Sequence, residues 1–568
     1  MADALRLITS PLPVASGLGY AALSAAVAAD ALARRSWAAG RPASLIVPAL
    51  AGDLGGRVSF DNELVRTGHD RTTLSPDDLA ERARAFAEAR RAEAAETLTS
   101  FGVAAELDEG TAADTVRRAA AVAFVRLHDE GLIHMADVVV PHCPSCKTVI
   151  EGPDAVRGEL DASLVEIVVD DDLDLRVRTF ATELLHGAVA VGVPIGHPSA
   201  GARVALPVTG REVPVVAEPG RTEPGLLAPA HDADAHELAR LHGFVPVPVL
   251  SPDGVVLGDD PFGGGLTRFA ARQATTALLE AEGVVASVED ALEPVERCRQ
   301  CGSVAVPVLG PHWVLRVSQL EVAAADAIRH GEVGFVPADM RDAVLAVAGA
   351  EARPWCLDRT VPGGVPLPVA TCGDCGRTSV DVEASPTCGK CFGVLDPSTT
   401  TLDPRFVGAV WPLATLGWPA RGRGTVDASS AEQTTAVVPP GALESWALPA
   451  LALGVHLAGL VPFASVVVQP PTAVPDATAP DGAADTRAAR LALLSTIDVD
   501  AASTAVRALD EPDGDDPDVI VAVEGAVAAL DDGGPGRAAA LLVAALTTGV
   551  PAAAADRARA LAVPFLGA

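Results

Sequence analysis

The sequence contains very little lysine. Only Lys147 and Lys390 occur among 568 residues, whereas arginine, alanine, valine, glycine, proline and aspartate are abundant. The bias is typical of coding composition rather than of selection for function. It nevertheless excludes any motif that needs a lysine ammonium beyond position 390. Tyrosine is scarcer still, with Tyr20 as its single copy.

Basic clusters are missing as well. The formal net charge is -32, and the acidic excess is spread along the chain. A field of this sign repels polyanions, so charge gives no support to nucleic-acid binding. The densest basic patch comprises Arg82, Arg84, Arg90 and Arg91, and glutamates are interleaved with it. This pattern favours a solvated, salt-bridged helix.

The sequence also shows no signal peptide and no clear membrane-spanning segment. No basic segment with an apolar core precedes a cleavage site near the N-terminus, so we expect a cytoplasmic protein. The apolar run over 446–468 is long, but Pro449, His456 and Pro462 interrupt it. It predicts a buried helix followed by a buried strand, not a membrane span. The length of the chain predicts two to four domains.

Cysteine is the most informative residue that is present. Eight of the nine cysteines form four Cys-x-x-Cys pairs, at Cys143/Cys146, Cys298/Cys301, Cys372/Cys375 and Cys388/Cys391. This spacing lets two thiolates on one tight turn reach one tetrahedral zinc ion. The last two pairs, in "CGDCGRTSVDVEASPTCGKC", predict a self-contained zinc ribbon.

The two remaining pairs are assigned to each other by elimination, which gives a second four-cysteine site. Both sites are interpreted as structural, because four thiolates leave no open position for water or substrate. A thioredoxin-like redox role is the alternative, but four similar pairs count against it. Cys356, in "RPWCLDR", has no partner in the pattern and is expected to be a packed core residue.

A glycine-containing turn follows the first apolar run. Gly17, Gly19 and Tyr20 lie between that run and an alanine-rich helix. Free N–H groups at the start of such a helix can hold a phosphate. From these residues alone, the turn could be a nucleotide site, a degenerate one or only a tight turn.

The order of further landmarks resembles the valyl-tRNA synthetases, class I aminoacyl-tRNA synthetases of the isoleucine, leucine and valine subgroup. The resemblance covers about 8–497 and rests on segments such as "FVRLHDEGLIHMADVVVPHCPSC", "LPVTGREVPVVAE", "APAHDADAHELARLHGF", "PWCLDR" and "LDPRFVGAVWPLATLGWP". It implies an α/β fold, with a Rossmann-like parallel-sheet catalytic domain that is split by a β-rich editing-type insertion.

The resemblance also implies the domain boundaries. The first half of the catalytic domain would cover 1–146, the insertion 147–297, a zinc-bearing connection and ribbon 298–400, and the second half of the catalytic domain 401–497. A short, acidic helical region would occupy 498–568. That region is too short for a full anticodon-binding helical bundle, so we expect the family's usual tRNA-binding contacts to be missing.

Both reaction signatures of the family are degenerate here. The His-x-Gly-His signature falls on 17–20, where Gly19 is kept and Gly17 and Tyr20 replace the two histidines. The lysine-rich second signature would fall in "QPPTAVPDATAPDGAAD", which has no lysine. Each lost donor typically costs about 100-fold to 1000-fold in rate, so ordinary aminoacylation is not expected. Gly19 and Tyr20 would remain only as a weakened ATP site, and Asp53 as a remnant of the turn that holds the substrate's amino group.

The editing-type insertion keeps part of its family pattern. The threonine-rich segment of the family corresponds to 178–183 and is mostly lost, whereas His231, Asp232 and Asp234 remain. By resemblance, Asp234 would hold the amino group of a mischarged residue. Alternatively, Asp232 and Asp234 only cap the following helix, as aspartate often does.

Three functions therefore stay open. The favoured one is a non-catalytic paralogue that binds an amino acid, a nucleotide, the acceptor end of tRNA or a protein partner. The second is an editing-type aminoacyl-tRNA deacylase that uses the insertion. The third is residual ATP-dependent activation of an amino acid. Two zinc ions are the expected cofactors in each case.

Overall fold

A computed structural model describes most of the chain up to Gln469. The described residues are 4–18, 20–38, 40–50, 52–105, 107–110, 113–258, 264–349, 354–361, 363–383, 385–419 and 426–469. The region 498–568, for which a short helical structure is expected, lies outside them. Among the described residues, those up to Ile133 and from Leu315 to Gln469 belong to a first unit, and those within His134–Val314 form a second.

Strands and helices alternate in the first unit, while strands dominate the second. The strands are β1 Leu5–Thr9, β2 Ala43–Pro48, β3 Leu107–Asp108, β4 Ile133–Cys143, β5 Thr148–Val149, β6 Ala155–Asp170, β7 Leu175–Thr179, β8 Ala190–Pro194, β9 Arg203–Ala205, β10 Glu212–Glu218, β11 Gly225–Leu227, β12 Val285–Cys298, β13 Val306–Leu315, β14 Gly334–Val336, β15 Trp355–Cys356, β16 Asp358–Arg359, β17 Val369–Cys372, β18 Thr378–Val380, β19 Leu395–Pro397, β20 Thr401–Leu402, β21 Thr434–Val438 and β22 Ser465–Val468. The helices are α1 Tyr20–Ala38, α2 Leu54–Arg66, α3 Pro76–Ser100, α4 Asp114–Asp129, α5 Ala233–His242, α6 Arg268–Glu282, α7 Val317–Arg329, α8 Met340–Val347, α9 Pro404–Thr415, α10 Ala428–Glu432, α11 Pro440–Ala442 and α12 Leu448–Ala458.

A six-stranded parallel sheet organises the first unit. Its order is β14-β22-β21-β1-β2-β3, and every neighbouring pair in it is parallel. Parallel strands need crossover connections, which helices usually provide, so both the topology and the strand direction agree with the Rossmann-like α/β expectation.

Helix α1 packs closely because its inward positions are small. Ala26 and Val27 contact the core formed by Leu12, Val47 and Phe101. On a second face, alanines of the same helix pack with Leu7 and Val437 from the two central strands. Since alanine has the highest intrinsic helix propensity, this composition favours both the helix and its close approach to the sheet.

A long hairpin and a small mixed sheet build the second unit. Strands β6 and β12 pair antiparallel from Val285–Ile167 to Cys298–Ala155, and β7 continues that sheet. A four-stranded sheet of order β11-β8-β10-β9 packs its valines with Val165, Ile167 and Leu279 in one core. The second unit is therefore β-rich and contains the whole of the expected insertion 147–297.

The apolar run over 446–468 folds as predicted, into α12 followed by β22. Leu451, Leu453 and Val466 are all buried. Within the described residues, no helix combines the length and apolar character needed to cross a membrane.

Candidate functional site

The central candidate site lies at the carboxyl edge of the parallel sheet. From β1 the chain proceeds outward to β2 and β3, whereas β21 and β22 lie on the opposite side of β1. In open α/β sheets, such a reversal leaves a crevice beyond the strand ends in which ligands bind. Gly17 lies on the connection from β1 to α1, which leaves the sheet at this edge.

Gly17 ends a short 3-10 turn over Val14–Ser16. Its N–H donates to the Val14 carbonyl at 3.2 Å, and its φ of +92° is a conformation that favours glycine. Helix α1 then begins at Tyr20. Gly19 and the side chain of Tyr20 lie outside the described part of the structure, so their predicted contribution to an ATP site stays a prediction.

Asp53 is positioned near the start of the neighbouring crossover. It is the N-cap of α2, where its carboxylate accepts the N–H of Gly56 at 3.2 Å. Its Oδ1 is buried and has no hydrogen-bond partner among the described residues, and burial raises the pKa of Asp53. Gly52 permits this turn, because a Cβ there would approach the Cα of Gly364 to 2.5 Å.

Two more buried polar side chains stand at the same edge of the sheet. Thr9 ends β1, and Gln469 directly follows β22. In the part of the chain that the structure describes, neither Thr9 Oγ1 nor Gln469 Oε1 has a hydrogen-bond partner. Buried polar groups are normally satisfied, so these atoms are available to a ligand or to water. The segment 470–485, where a lysine signature would fall, lies outside the described residues.

The structure brings Cys143, Cys146, Cys298 and Cys301 together. The sulfurs of Cys143 and Cys301 are 3.4 Å apart, and those of Cys146 and Cys298 are 3.8 Å apart. These are the partners assigned by elimination. Their four sulfurs form a group that could hold a metal ion.

The second four-cysteine group lies on the three-stranded sheet of β17, β18 and β19. Sulfur–sulfur distances are 3.4 Å for Cys372–Cys391 and 3.7 Å for Cys375–Cys388. Backbone N–H groups of Lys390 and Cys391 lower the pKa of Cys388 to about 6.

All four cysteine turns share one backbone conformation. In each turn, the fourth residue after the first cysteine is left-handed, and its N–H donates to that cysteine's carbonyl at 2.9 Å. These residues are Lys147, Gly302, Gly376 and Phe392. Only two of them are glycines. In the other two turns, a residue with a side chain adopts the left-handed conformation, which is energetically unfavourable.

His231 is a buried structural histidine. Its Nδ1 donates to the Pro307 carbonyl at 2.7 Å, while Nε2 accepts the N–H groups of Val249 and Leu250 at 2.8 and 3.1 Å. Both ring nitrogens are thereby used, and burial lowers the pKa of His231. The neutral ring joins three segments and has no free nitrogen for acid–base chemistry.

Asp232 is the N-cap of α5, as in the capping alternative. It accepts the N–H groups of Asp234 and Ala235, both at 2.9 Å. The carboxylate of Asp234 is exposed in the first turn of that helix.

A buried ion network occupies the segment that corresponds to the family's threonine-rich motif. Arg272 bonds Glu183 at 2.9 and 3.0 Å and Glu293 at 2.7 and 3.3 Å. Thr182 Oγ1 donates to the carbonyl of Arg272 at 2.9 Å and lies 3.0 Å from Thr276 Oγ1. Thr182 and Glu183 of this segment therefore form hydrogen bonds within the protein.

Sequence reasoning missed Arg272 and the position of Arg90. Arg90 lies on α3, which carries the exposed ion pairs predicted for it, to Glu93 and from Arg91 to Glu109. However, its Nη2 is also 3.5 Å from where a Cβ of Gly17 would be. No local pattern marks a contact between residues so far apart in the chain.

The sequence matches the family model for tRNA synthetases class I (I, L, M and V) over residues 54–473. It is 28% identical over 380 residues to the valine–tRNA ligase of Clostridium tetani, covering 64% of this chain and 43% of that protein. For the valine–tRNA ligase of Thermotoga maritima, the identity is 32% over 330 residues, covering 55% and 37%.

The chain therefore spans less than half the length of these two curated relatives. Among solved structures, the methionyl-tRNA synthetase of Mycobacterium tuberculosis in complex with methionyl-adenylate superimposes with a TM-score of 0.47 and 8% identity, covering 99% of this chain and 92% of that one.

Proposed function

The chain belongs to the class I tRNA synthetases of the isoleucine, leucine, methionine and valine group, and we propose that it is a valyl-type member that binds ligands without ordinary aminoacylation. Kinship in fold does not by itself confer activity, so the proposal rests on the residues at the reaction site.

The observation that carries the proposal is the turn at Gly17. Activation of an amino acid by ATP places negative charge on phosphate oxygens, and preorganised donors must stabilise it. A glycine with φ of +92° supplies no side-chain donor at the first signature position. The only lysines, Lys147 and Lys390, lie in cysteine turns, and Lys147 is paired with Asp253. These observations support the proposal that ordinary aminoacylation is lost.

The same edge of the sheet keeps features suited to binding. Asp53 contributes a carboxylate at this edge, and a carboxylate is the group that pairs with the ammonium of an amino acid. Thr9 and Gln469 add unpaired acceptors at that edge. These features support an amino acid or a nucleotide as the ligand. A tRNA acceptor end or a protein partner would be additional.

Editing is the weaker alternative. His231 has both ring nitrogens engaged, and Glu183 is bound to Arg272. A deacylase needs a polar pocket that can position water next to an ester, whereas these groups are already satisfied by one another. We therefore rank binding above hydrolysis.

We also propose that each four-cysteine group holds a structural zinc ion. A tetrahedron of sulfurs at 2.3 Å from zinc has edges of about 3.8 Å. The sulfur–sulfur distances of 3.4 to 3.8 Å fit that size. Four thiolates would fill the coordination shell, so these ions would stabilise the fold and would not react with substrate.

Aminoacylation and deacylation assays together test the proposed function. Purified protein would be incubated with tRNA, ATP and each amino acid, and separately with preformed threonyl-tRNA and valyl-tRNA. We expect neither charged tRNA nor accelerated deacylation. Charging of tRNA would contradict the proposal, and rapid loss of threonine from threonyl-tRNA would establish the editing alternative.

A further inference from the structure

Each four-cysteine group has an exposed cysteine at the same place. It is the last cysteine of the second turn, Cys301 in one group and Cys391 in the other. Its sulfur lies 3.4 Å from that of the first cysteine of the first turn, which is Cys143 or Cys372. Both of these partners are buried. An accessible sulfur therefore lies next to a protected one in each group.

This arrangement suits a two-step oxidation by a peroxide. Cysteines that bind zinc are deprotonated, and the thiolate is the nucleophilic form of cysteine. An exposed thiolate can attack one oxygen of hydrogen peroxide, which breaks the O–O bond, forms a sulfenic acid and releases hydroxide. A neighbouring thiolate can then attack the sulfenic sulfur and expel a second hydroxide, which leaves a disulfide. The two thiolates together lose two electrons, and these reduce one peroxide to two hydroxide ions.

The ribbon is the more accessible of the two groups. Cys375 is partly exposed in addition to the exposed Cys391, whereas the three cysteines that accompany Cys301 are all buried. The two turns of the group that contains Cys301 are also joined by a hydrogen bond between the hydroxyls of Ser145 and Ser303, at 2.7 Å. Peroxide should therefore reach the ribbon more readily.

The backbone of the ribbon already holds Cys372 and Cys391 close together. Strand β17 pairs with β19, and this pairing places Cys372 opposite Leu395, which follows Cys391 closely in the chain. A disulfide bond is about 2.05 Å long, so the two sulfurs need to approach each other by only about 1.4 Å. A metal ion held by all four cysteines would lose two of its ligands in this step.

We propose that Cys391 is a peroxide-reactive modification site, and that its oxidation joins it to Cys372 and releases metal from the ribbon. Redox-sensing cysteines are typically accessible and lie beside a resolving cysteine, as Cys391 does. The inference goes beyond the proposed ligand binding at the parallel sheet. It rests only on the proposed zinc ion of the ribbon.

Peroxide treatment of the zinc-loaded whole chain tests the inference. Released zinc would be followed with a chromogenic chelator, and disulfides would be identified by mass spectrometry of tryptic peptides. Trypsin cuts after Arg377 and Lys390, so Cys372, Cys388 and Cys391 fall on three different peptides. We expect one of the two zinc ions to be lost first, together with the formation of a disulfide between Cys391 and Cys372. Dithiothreitol and added zinc should restore the metal content, because a disulfide is reversible.

Two variants compare the groups directly. Cys301→Ser should hold zinc only in the ribbon, and Cys391→Ser should hold it only in the other group. We expect hydrogen peroxide to release zinc faster from Cys301→Ser than from Cys391→Ser. Equal rates would contradict the greater reactivity of the ribbon.

The inference would be overturned if the unaltered protein kept both zinc ions in peroxide. A disulfide from Cys391 to Cys375 or Cys388 would overturn it as well, as would oxidation of Cys391 without any disulfide. These results would leave the proposed zinc sites and the proposed loss of aminoacylation in place. A protein that binds no zinc before treatment would instead contradict the zinc sites themselves, and the inference with them.

Discussion

Arg272 donates to both carboxylate oxygens of Glu183, at 2.9 and 3.0 Å, across 89 residues of sequence. On its other side the same guanidinium binds Glu293. Side-chain exposure is 11%, 2% and 11% for Arg272, Glu183 and Glu293. The cation is thus enclosed by two carboxylates that have little access to water.

Removing this cation should strongly destabilise the second unit. Arg272→Ala leaves two buried carboxylates without their partner, and breaking a buried pair costs about 3–5 kcal/mol. Urea unfolding would measure the loss. Arg240→Ala is the control, because the pair of Arg240 with Glu237 is exposed and should contribute less than about 1 kcal/mol. Similar losses in both variants would contradict the enclosed network.

His231 should make stability depend on pH. Burial lowers its pKa below the ordinary value of 6.5, so below that pH the unfolded chain binds a proton that the folded chain refuses. The stabilisation by the neutral ring is complete above pH 6.5 and is lost as the pH falls toward the folded-state pKa. His231→Gln keeps a donor and an acceptor but cannot titrate.

Urea unfolding of both proteins at pH 7.5 and pH 5 would measure this effect. We expect the unaltered protein to lose more stability than His231→Gln over that interval. An identical pH dependence in the two proteins would show that His231 is not held neutral. His231→Ala should cost about 1–3 kcal/mol for each backbone N–H left unsatisfied, even at pH 7.5.

Replacing Phe392 by glycine should stabilise the zinc ribbon. Its φ is +64° and the residue is 82% exposed. The left-handed conformation therefore costs free energy that packing of the side chain does not offset. Phe392→Gly should stabilise the ribbon by about 1 kcal/mol, and should raise apparent zinc affinity about fivefold in a chelator competition. Gly376→Ala, at the matching position of the partner turn, should lower it. A change of the same sign in both variants would contradict the shared turn geometry.

Metal content should follow the two cysteine groups. We expect two zinc ions per chain, and one after either Cys301→Ser or Cys391→Ser. Elemental analysis of the purified variants would give these numbers. A full metal content in both ligand variants would exclude the proposed sites.

Much of the framework can be predicted from short patterns. The four Cys-x-x-Cys spacings identify the turns, and elimination leaves one way to pair them, which is the pairing in the structure. In the run over 446–468, Pro462 lies between α12 and β22 and separates the helix from the strand. These features depend on neighbouring residues, which a sequence shows directly.

Contacts over long sequence separations are not predictable in this way. Nothing around Arg90 indicates that it lies beside Gly17, because α3 carries a polar, evenly charged pattern typical of a solvated helix. Likewise, His231 belongs to a motif that resembles an editing site, and only its three hydrogen bonds show it to be structural. Residue identity alone therefore does not decide between an editing role and a structural role for His231, because its surrounding contacts determine its chemistry.

ATP–pyrophosphate exchange tests the central claim most directly. The zinc-loaded protein would be assayed with valine, isoleucine, threonine and the other amino acids, with the Thermotoga maritima valine–tRNA ligase as the positive control. We predict no exchange above the level without amino acid, because the Gly17 turn lacks both histidines and the chain has no lysine after Lys390. Valine-dependent exchange that is lost in Tyr20→Ala would contradict the account.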